Sequence, residues 1–190
     1  MKPQLTKLVD QAPGGPEWLH ELKFDGYRMH ARLDGGAVRL LTRTGLDWTR
    51  KYPAIAAAVE ALPARQAYLD GELCGVRPDG TTSFSLIQNA SHSGNSDALV
   101  FFLFDLLHLD GEAIHALHLR DRKERLQALL SKTGSPLHYS DHQIGHGQAF
   151  YDRACALKVE GIVSKQVDAP YAPGNRGLWL KVKCLNCGAP

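Results

Sequence analysis

Trp18-Leu-His-Glu-Leu-Lys-Phe-Asp-Gly-Tyr-Arg28 is the stretch from which the fold is read. In an extended strand successive side chains alternate between faces, so Glu21 and Lys23 share one face and Leu22 and Phe24 the other, and Asp25-Gly26 then turns the chain. Charge on one side and apolar groups on the other declare two environments. The same split recurs in Tyr68-Leu-Asp-Gly-Glu-Leu73, where Asp70 and Glu72 fall together. It recurs again in Leu178-Trp-Leu-Lys-Val-Lys-Cys184, where Lys181 and Lys183 oppose Leu180, Val182 and Cys184. Taken singly, each is an ordinary strand with a solvated face. Taken together, they hold the parts for chemistry on a polyphosphate. Two lysines and an arginine neutralise phosphates, carboxylates hold a hydrated Mg²⁺, and a further lysine attacks phosphorus when its neutral form is favoured. Burial and neighbouring cations both favour the neutral amine, which singles out Lys23 if it faces Lys181 and Lys183.

Outward from these segments the chain reads as short strands broken by turns. Strands are expected at Trp18–Phe24, Tyr27–Leu33, Ala37–Thr42, Ala67–Leu73, Leu99–Leu107, Gly161–Gln166 and Leu178–Cys184, each bounded by Gly, Asp, Asn or Pro. Asp34-Gly35-Gly36 is a hairpin signal. Helices are expected at Tyr52–Leu62, Arg120–Leu130 and Ala149–Lys158, where apolar residues recur three and four apart. The fold class is α+β, with antiparallel sheets flanked by helices. With 190 residues, 44% hydrophobic and 22% charged, the chain is one sizeable domain or two small ones, with a substantial core and no signature of disorder. No Gly-x-Gly-x-x-Gly or Gly-x-x-x-x-Gly-Lys follows a strand, so neither a dinucleotide fold nor a P-loop is supported. The net charge of +2 does not demand nucleic acid, so polyanion binding must come from local clusters. No apolar run reaches membrane length and the first residues lack a secretory pattern, so a cytoplasmic protein is expected, with Cys74, Cys155, Cys184 and Cys187 as reduced thiols.

Lys23-Phe24-Asp25-Gly26, with Arg28, resembles the Lys-x-Asp-Gly nucleophile motif of the covalent nucleotidyltransferases, the superfamily of ATP-dependent DNA ligases, RNA ligases and mRNA capping enzymes. Five further matches follow in family order: Thr42-Arg-Thr-Gly45, Leu69-Asp-Gly-Glu72, Phe102-Leu-Phe-Asp105, Glu160-Gly-Ile-Val-Ser-Lys165 and Trp179-Leu-Lys-Val-Lys183. The fuller strings are most similar to the ligase domain of the bacterial end-joining ligases of the ligase D type, which work with Ku. The resemblance implies an ATP-grasp-like adenylation domain over residues 1–186 that uses ATP as AMP donor with Mg or Mn, and acts on nicked double-stranded DNA at the nucleoid.

It also implies roles. Lys23 forms the lysyl-AMP, and Glu21 reads the adenine amino group. Arg28 and Glu72 hold the ribose. Phe104 stacks on the base and Ile162 closes its other side. Lys181 and Lys183 contact the α-phosphate, with Lys165 as a further phosphate contact. Glu160, with Glu72, takes the metal, and Arg43 grips the 5′-phosphate of the nick. Residues 187–190 are expected as a short tail with no OB-fold following, so that sealing is weakened unless a separate OB-fold or end-joining partner supplies that domain. An RNA ligase, a capping-type enzyme and a non-catalytic nucleotide or nucleic-acid binder are the alternatives.

Three other constellations are set aside. His138, His142 and His146 are four apart, but Pro136, Gly145 and Gly147 oppose a shared helix. Cys184-Leu-Asn-Cys187 is a single pair where zinc needs four ligands. Arg120, Arg122, Lys123 and Arg125 alternate with Asp121 and Glu124, the pattern of a solvated helix face with ion pairs.

Overall fold

A computed structural model describes residues 1–93 and 98–185. In chain order the elements are β1 (Gln4–Leu8), β2 (Trp18–Leu22), β3 (Tyr27–Asp34), β4 (Ala37–Thr42), a short 3₁₀ turn (Thr49–Lys51), α1 (Pro53–Glu60), β5 (Gln66–Val76), β6 (Thr82–Ser83), α2 (Phe84–Ser93), β7 (Leu99–Leu109), β8 (Glu112–Ala113), α3 (Leu119–Leu130), β9 (Leu137–Tyr139), β10 (His142–Ile144), α4 (Gly147–Ala156), β11 (Gly161–Gln166) and β12 (Gly174–Lys183). They form two sheets. One runs β1-β12-β11-β2-β10 and the other β4-β3-β5-β7-β8, with β6 against β5 and β9 against β7. Pairing is antiparallel throughout except for β1 with β12 and β7 with β9, so the sheets are mixed at these strands.

The seven-stranded sheet carries the main core. Alternation along β3 turns Met29, Ala31 and Leu33 inward to meet Leu69 and Leu73 of β5, Phe101 and Leu103 of β7, and Ile55 and Val59 of α1. The β3–β4 hairpin closes at Asp34 opposite Ala37. Gly35 and Gly36 stand at φ 56 and φ 87, the doubly left-handed turn whose twist matches the flanking strands. The other sheet packs Ile162 and Val182 onto Ala154 of α4.

Two expectations are corrected here. The buried stripe of α3 is Leu119, Arg122, Lys123, Leu126, Leu129 and Leu130. The three-and-four spacing that buries the leucines carries Arg122 and Lys123 inward with them, and both are 0% exposed. Only Arg120, paired with Asp168, and Arg125, paired with Glu112, occupy the solvated face read from the sequence. Cys155 and Cys184 are not reduced thiols but form a disulfide. Packing of α4 on β11, which neighbours β12, brings their Cα atoms to 5.5 Å, within bridging reach. Cys74 is free and buried; Cys187 and residues 187–190 lie outside the described residues. The three histidines stand on separate elements, His138 in β9, His142 in β10 and His146 ahead of α4. No described helix is long and apolar enough to cross a membrane.

Candidate active site

A cavity of about 320 Å³ opens between the two sheets. Its walls are built by β1, β2, β11 and β12 on one side and by Arg28, Glu72 and Phe104 of β3, β5 and β7 on the other. Lys23 stands in it one residue past the end of β2, its backbone N–H still bonded to the Gly161 carbonyl at 2.9 Å. Because the strand ends at Leu22 and not at Phe24 as expected, alternation lapses, and Glu21, Leu22, Lys23 and Phe24 all line the cavity. Phe24 stacks on Phe102 with ring centroids 4.0 Å apart, which anchors the turn. Gly26 has a steric cause: a Cβ there would lie 2.1 Å from the Leu73 carbonyl oxygen, so only glycine lets this turn press against β5. The Lys23 Nζ donates to Glu160 Oε1 at 2.6 Å.

One end of the cavity is aromatic. Phe104 meets Trp179 edge to face at 5.8 Å. The Arg28 guanidinium lies 5.0 Å from the Phe104 ring centroid and 5.4 Å from that of Trp179, and the Lys165 amine lies 4.1 and 4.3 Å from the same two. Arg28 is locked by a bidentate pair with Asp70, Nε to Oδ1 at 2.7 Å and Nη2 to Oδ2 at 2.6 Å, and donates from Nη2 to the Gln4 carbonyl. Burial raises the Asp70 carboxyl, but the Arg28 guanidinium overrides it and holds Asp70 well below the usual carboxylate range. Glu21 is 2% exposed. Its Oε1 accepts from Lys123 at 2.7 Å and its Oε2 is paired with Lys165. Burial pushes this carboxyl up, and the two ammonium groups together bring it below its ordinary value. Across the cavity Glu72 lacks such an escort. Burial dominates, and despite Arg28 and Lys23 its carboxyl is pushed up to about 7.

The structure thus brings Lys23, Glu21, Arg28, Arg43, Glu72, Phe104, Lys165 and Lys181 around one cavity, with Glu160 reaching in through Lys23. Arg43 is exposed at the rim. Two placements differ from expectation. Ile162 does not line the cavity: it is 0% exposed and packed on Ala154 and Val182, while Val163 takes the cavity side. Glu160 precedes β11, so its side chain does not set the parity of the strand, and Val163 and Lys165 take the cavity face. Lys165 does line the cavity, 3% exposed and paired with Glu21 at the aromatic end. Lys183 is exposed two residues beyond Lys181 and does not line the cavity, so Lys23 is faced by Lys181 alone of the pair.

Glu160 and Glu72 are hard oxygen donors of the kind Mg²⁺ or Mn²⁺ accepts. Among the described residues no three His, Cys, Asp or Glu side chains are gathered for an all-protein site. The donor set therefore fits a divalent ion held by one or two carboxylates plus water and substrate phosphates. Sequence reasoning missed Lys123 and Trp179. The parity of Trp179 with Lys181 would have placed it in the cavity; Lys123 carried only the leucine periodicity of its helix.

A family model described as ATP dependent DNA ligase domain matches residues 2–183. The multifunctional non-homologous end joining protein LigD of Pseudomonas aeruginosa is 38% identical over 183 residues, 96% of this chain and 22% of that protein. The LigD protein of Mycobacterium tuberculosis is 39% identical over 174 residues, 90% of this chain and 22% of that protein. Among solved structures, the ligase domain of M. tuberculosis LigD superposes with a TM-score of 0.85 at 32% identity, over 96% of this chain and 59% of that one. A mycobacterial DNA ligase D complexed with ATP and MES gives 0.83 at 32% identity, over 96% and 60%. The chain therefore spans 22% of the length of these curated relatives and about three fifths of the solved ligase domains.

Proposed function

The chain belongs to the ATP-dependent DNA ligase domain family, and from that premise we propose that it is the adenylating part of a DNA end-joining ligase, with Lys23 as the nucleophile. The observation that carries the reading is the Lys23 amine inside a two-sheet cavity, 2.6 Å from a carboxylate, with a cation and an aromatic platform around it. A relative of the same fold holds ATP.

In this reading the neutral Lys23 amine attacks the α-phosphorus of ATP. The N–P bond forms, the bond to pyrophosphate breaks, and Glu160, already hydrogen-bonded to the amine, is placed to accept the departing proton. Lys181 offers the positive charge that the phosphate needs as charge develops. Phe104, Trp179 and Val163 supply the apolar surface for the base, and Glu21 its polar edge. Glu72 and Arg28 face the ribose. Glu160 and Glu72, together with the phosphates, would hold a divalent ion, which would supply electrostatic stabilisation of the triphosphate. AMP then passes to the 5′-phosphate of nicked double-stranded DNA, with Arg43 on the rim meeting that phosphate as a charge-assisted contact, and the 3′-hydroxyl displaces AMP to seal the strand.

Residues 1–186 form the adenylation unit, and an OB-fold, Ku or another end-joining partner completes the DNA grip. Work in a cytoplasmic, nucleoid-associated setting follows from the same reading. Intact-protein mass spectrometry after incubation with ATP and Mg²⁺ tests it. One AMP added to the parent and none to Lys23→Ala is the expected result. Adenylation of Lys23→Ala, or no adduct on the parent together with no sealing of 5′-adenylated nicks, overturns it.

A further inference from the structure

We propose that Lys123, which lies behind the cavity and does not line it, is a positioning residue that makes the site selective for adenine over guanine by fixing the carboxylate of Glu21. The inference rests on the nucleotide reading above and adds a residue from α3 to it.

The ammonium of Lys123 has three acceptors: Glu21 Oε1 at 2.7 Å, the Ser140 carbonyl at 3.1 Å and the Phe104 carbonyl at 3.4 Å. These belong to β2, to the turn between β9 and β10, and to β7, and all three residues line the cavity. One buried side chain thus ties three walls of the aromatic end together from outside. Lys123, Glu21 and Lys165 are 0%, 2% and 3% exposed. Burying three charged groups is a poor route to stability, since desolvation costs several kcal/mol per ion and an apolar trio of similar volume often does as well. What the ionic arrangement supplies is orientation. Oε1 is hydrogen-bonded to Lys123 and Oε2 faces Lys165 as an ion pair, so the carboxylate is oriented between two cations. It does not readily take up the proton that would turn it into a donor.

That matters for the base. At the same ring position adenine carries an amino donor and guanine a carbonyl acceptor. An ionised carboxylate only accepts, so a pinned Glu21 welcomes the first and repels the second. With Lys123 removed, Glu21 keeps one cation on one oxygen. It can then turn, or carry a proton and donate to a carbonyl, and guanine is no longer penalised.

The test measures binding of AMP and GMP by calorimetry on the full chain, so that no covalent step enters. Lys123→Met removes the charge at similar volume. Lys123→Gln is the second variant, used if the first does not fold. Arg122→Met, the neighbouring buried cation with no contact to Glu21, serves as control. The parent should prefer AMP, and both Lys123 variants should lower the AMP-to-GMP affinity ratio by about tenfold, the scale of one mismatched buried hydrogen bond, while Arg122→Met leaves the ratio unchanged. Equal weakening of AMP and GMP in the Lys123 variants would mark a merely structural lysine and overturn the proposal. A parent that binds neither nucleotide overturns the nucleotide reading and this inference with it.

Discussion

Arg122→Met tests whether α3 is held to the second sheet by buried ionic contacts. The Arg122 guanidinium and Asp105 are both 0% exposed. Nε and Nη2 donate to the two carboxylate oxygens at 2.8 and 3.0 Å, and Nη1 donates to the Leu117 and Ala169 carbonyls at 2.7 and 2.9 Å. Methionine fills most of the volume but leaves two carbonyls without donors and the buried Asp105 carboxylate without its counter-charge, holding only the Leu106 N–H on Oδ1. Breaking a buried pair from one side costs about 3–5 kcal/mol. At about 2–4 °C per kcal/mol for a chain of this length, the midpoint should fall by about 6–20 °C. Arg120→Ala, two residues earlier, removes an exposed pair with Asp168 and should lose only about 0.2–1 kcal/mol. Thermal unfolding followed by far-ultraviolet circular dichroism compares the two. Asp105→Asn combined with Arg122→Met should recover part of the loss, because the stranded charge is gone. Equal, small shifts for Arg122→Met and Arg120→Ala would refute the reasoning.

Gly26→Ala forces a Cβ to 2.1 Å from the Leu73 carbonyl oxygen, a backbone atom that cannot yield; about 1–3 kcal/mol should be lost, and AMP labelling of Lys23 should fall more steeply than stability, as read by melting and mass spectrometry side by side. Burial pushes the Glu72 carboxyl from 4.5 up to about 7, so its contribution to stability is full below pH 4.5 and is lost as pH rises through about 7. Urea unfolding should therefore show the parent losing stability relative to Glu72→Gln as pH rises from 4.5 to about 7, and parallel behaviour would exclude the raised carboxyl. The Cys155–Cys184 disulfide spans 29 residues, a loop whose closure is worth about 3–4 kcal/mol. Dithiothreitol should lower the melting midpoint of the parent by about 6–16 °C and leave Cys155→Ser unmoved.

Much of the site was legible because strands write their two faces into sequence with a period of two. Glu21 with Lys23, Asp70 with Glu72 and Lys181 with Lys183 were grouped from residue order alone, and Gly35-Gly36 declared its hairpin. Legibility stopped where that period stopped. β2 ends at Leu22, so Phe24 joins the cavity. Ile162, taken from the resemblance, lies on the face of β11 away from the cavity, and Val163 lines it.

By itself, then, the sequence determined most of the α+β strand pattern, because local alternation and turn chemistry depend only on neighbours along the chain, and its resemblance to a family put Lys23, Glu21 and Glu72 forward as site residues. The partners came from the tertiary structure. The charged run of α3 differs little from a solvated face until Glu21 of β2 and Asp105 of β7 are brought against it. Likewise Cys155 and Cys184 are two thiols 29 residues apart until α4 sets them within bonding reach. A buried charge is stable only beside its counter-charge, and which counter-charge it meets is decided by how the sheets and helices pack.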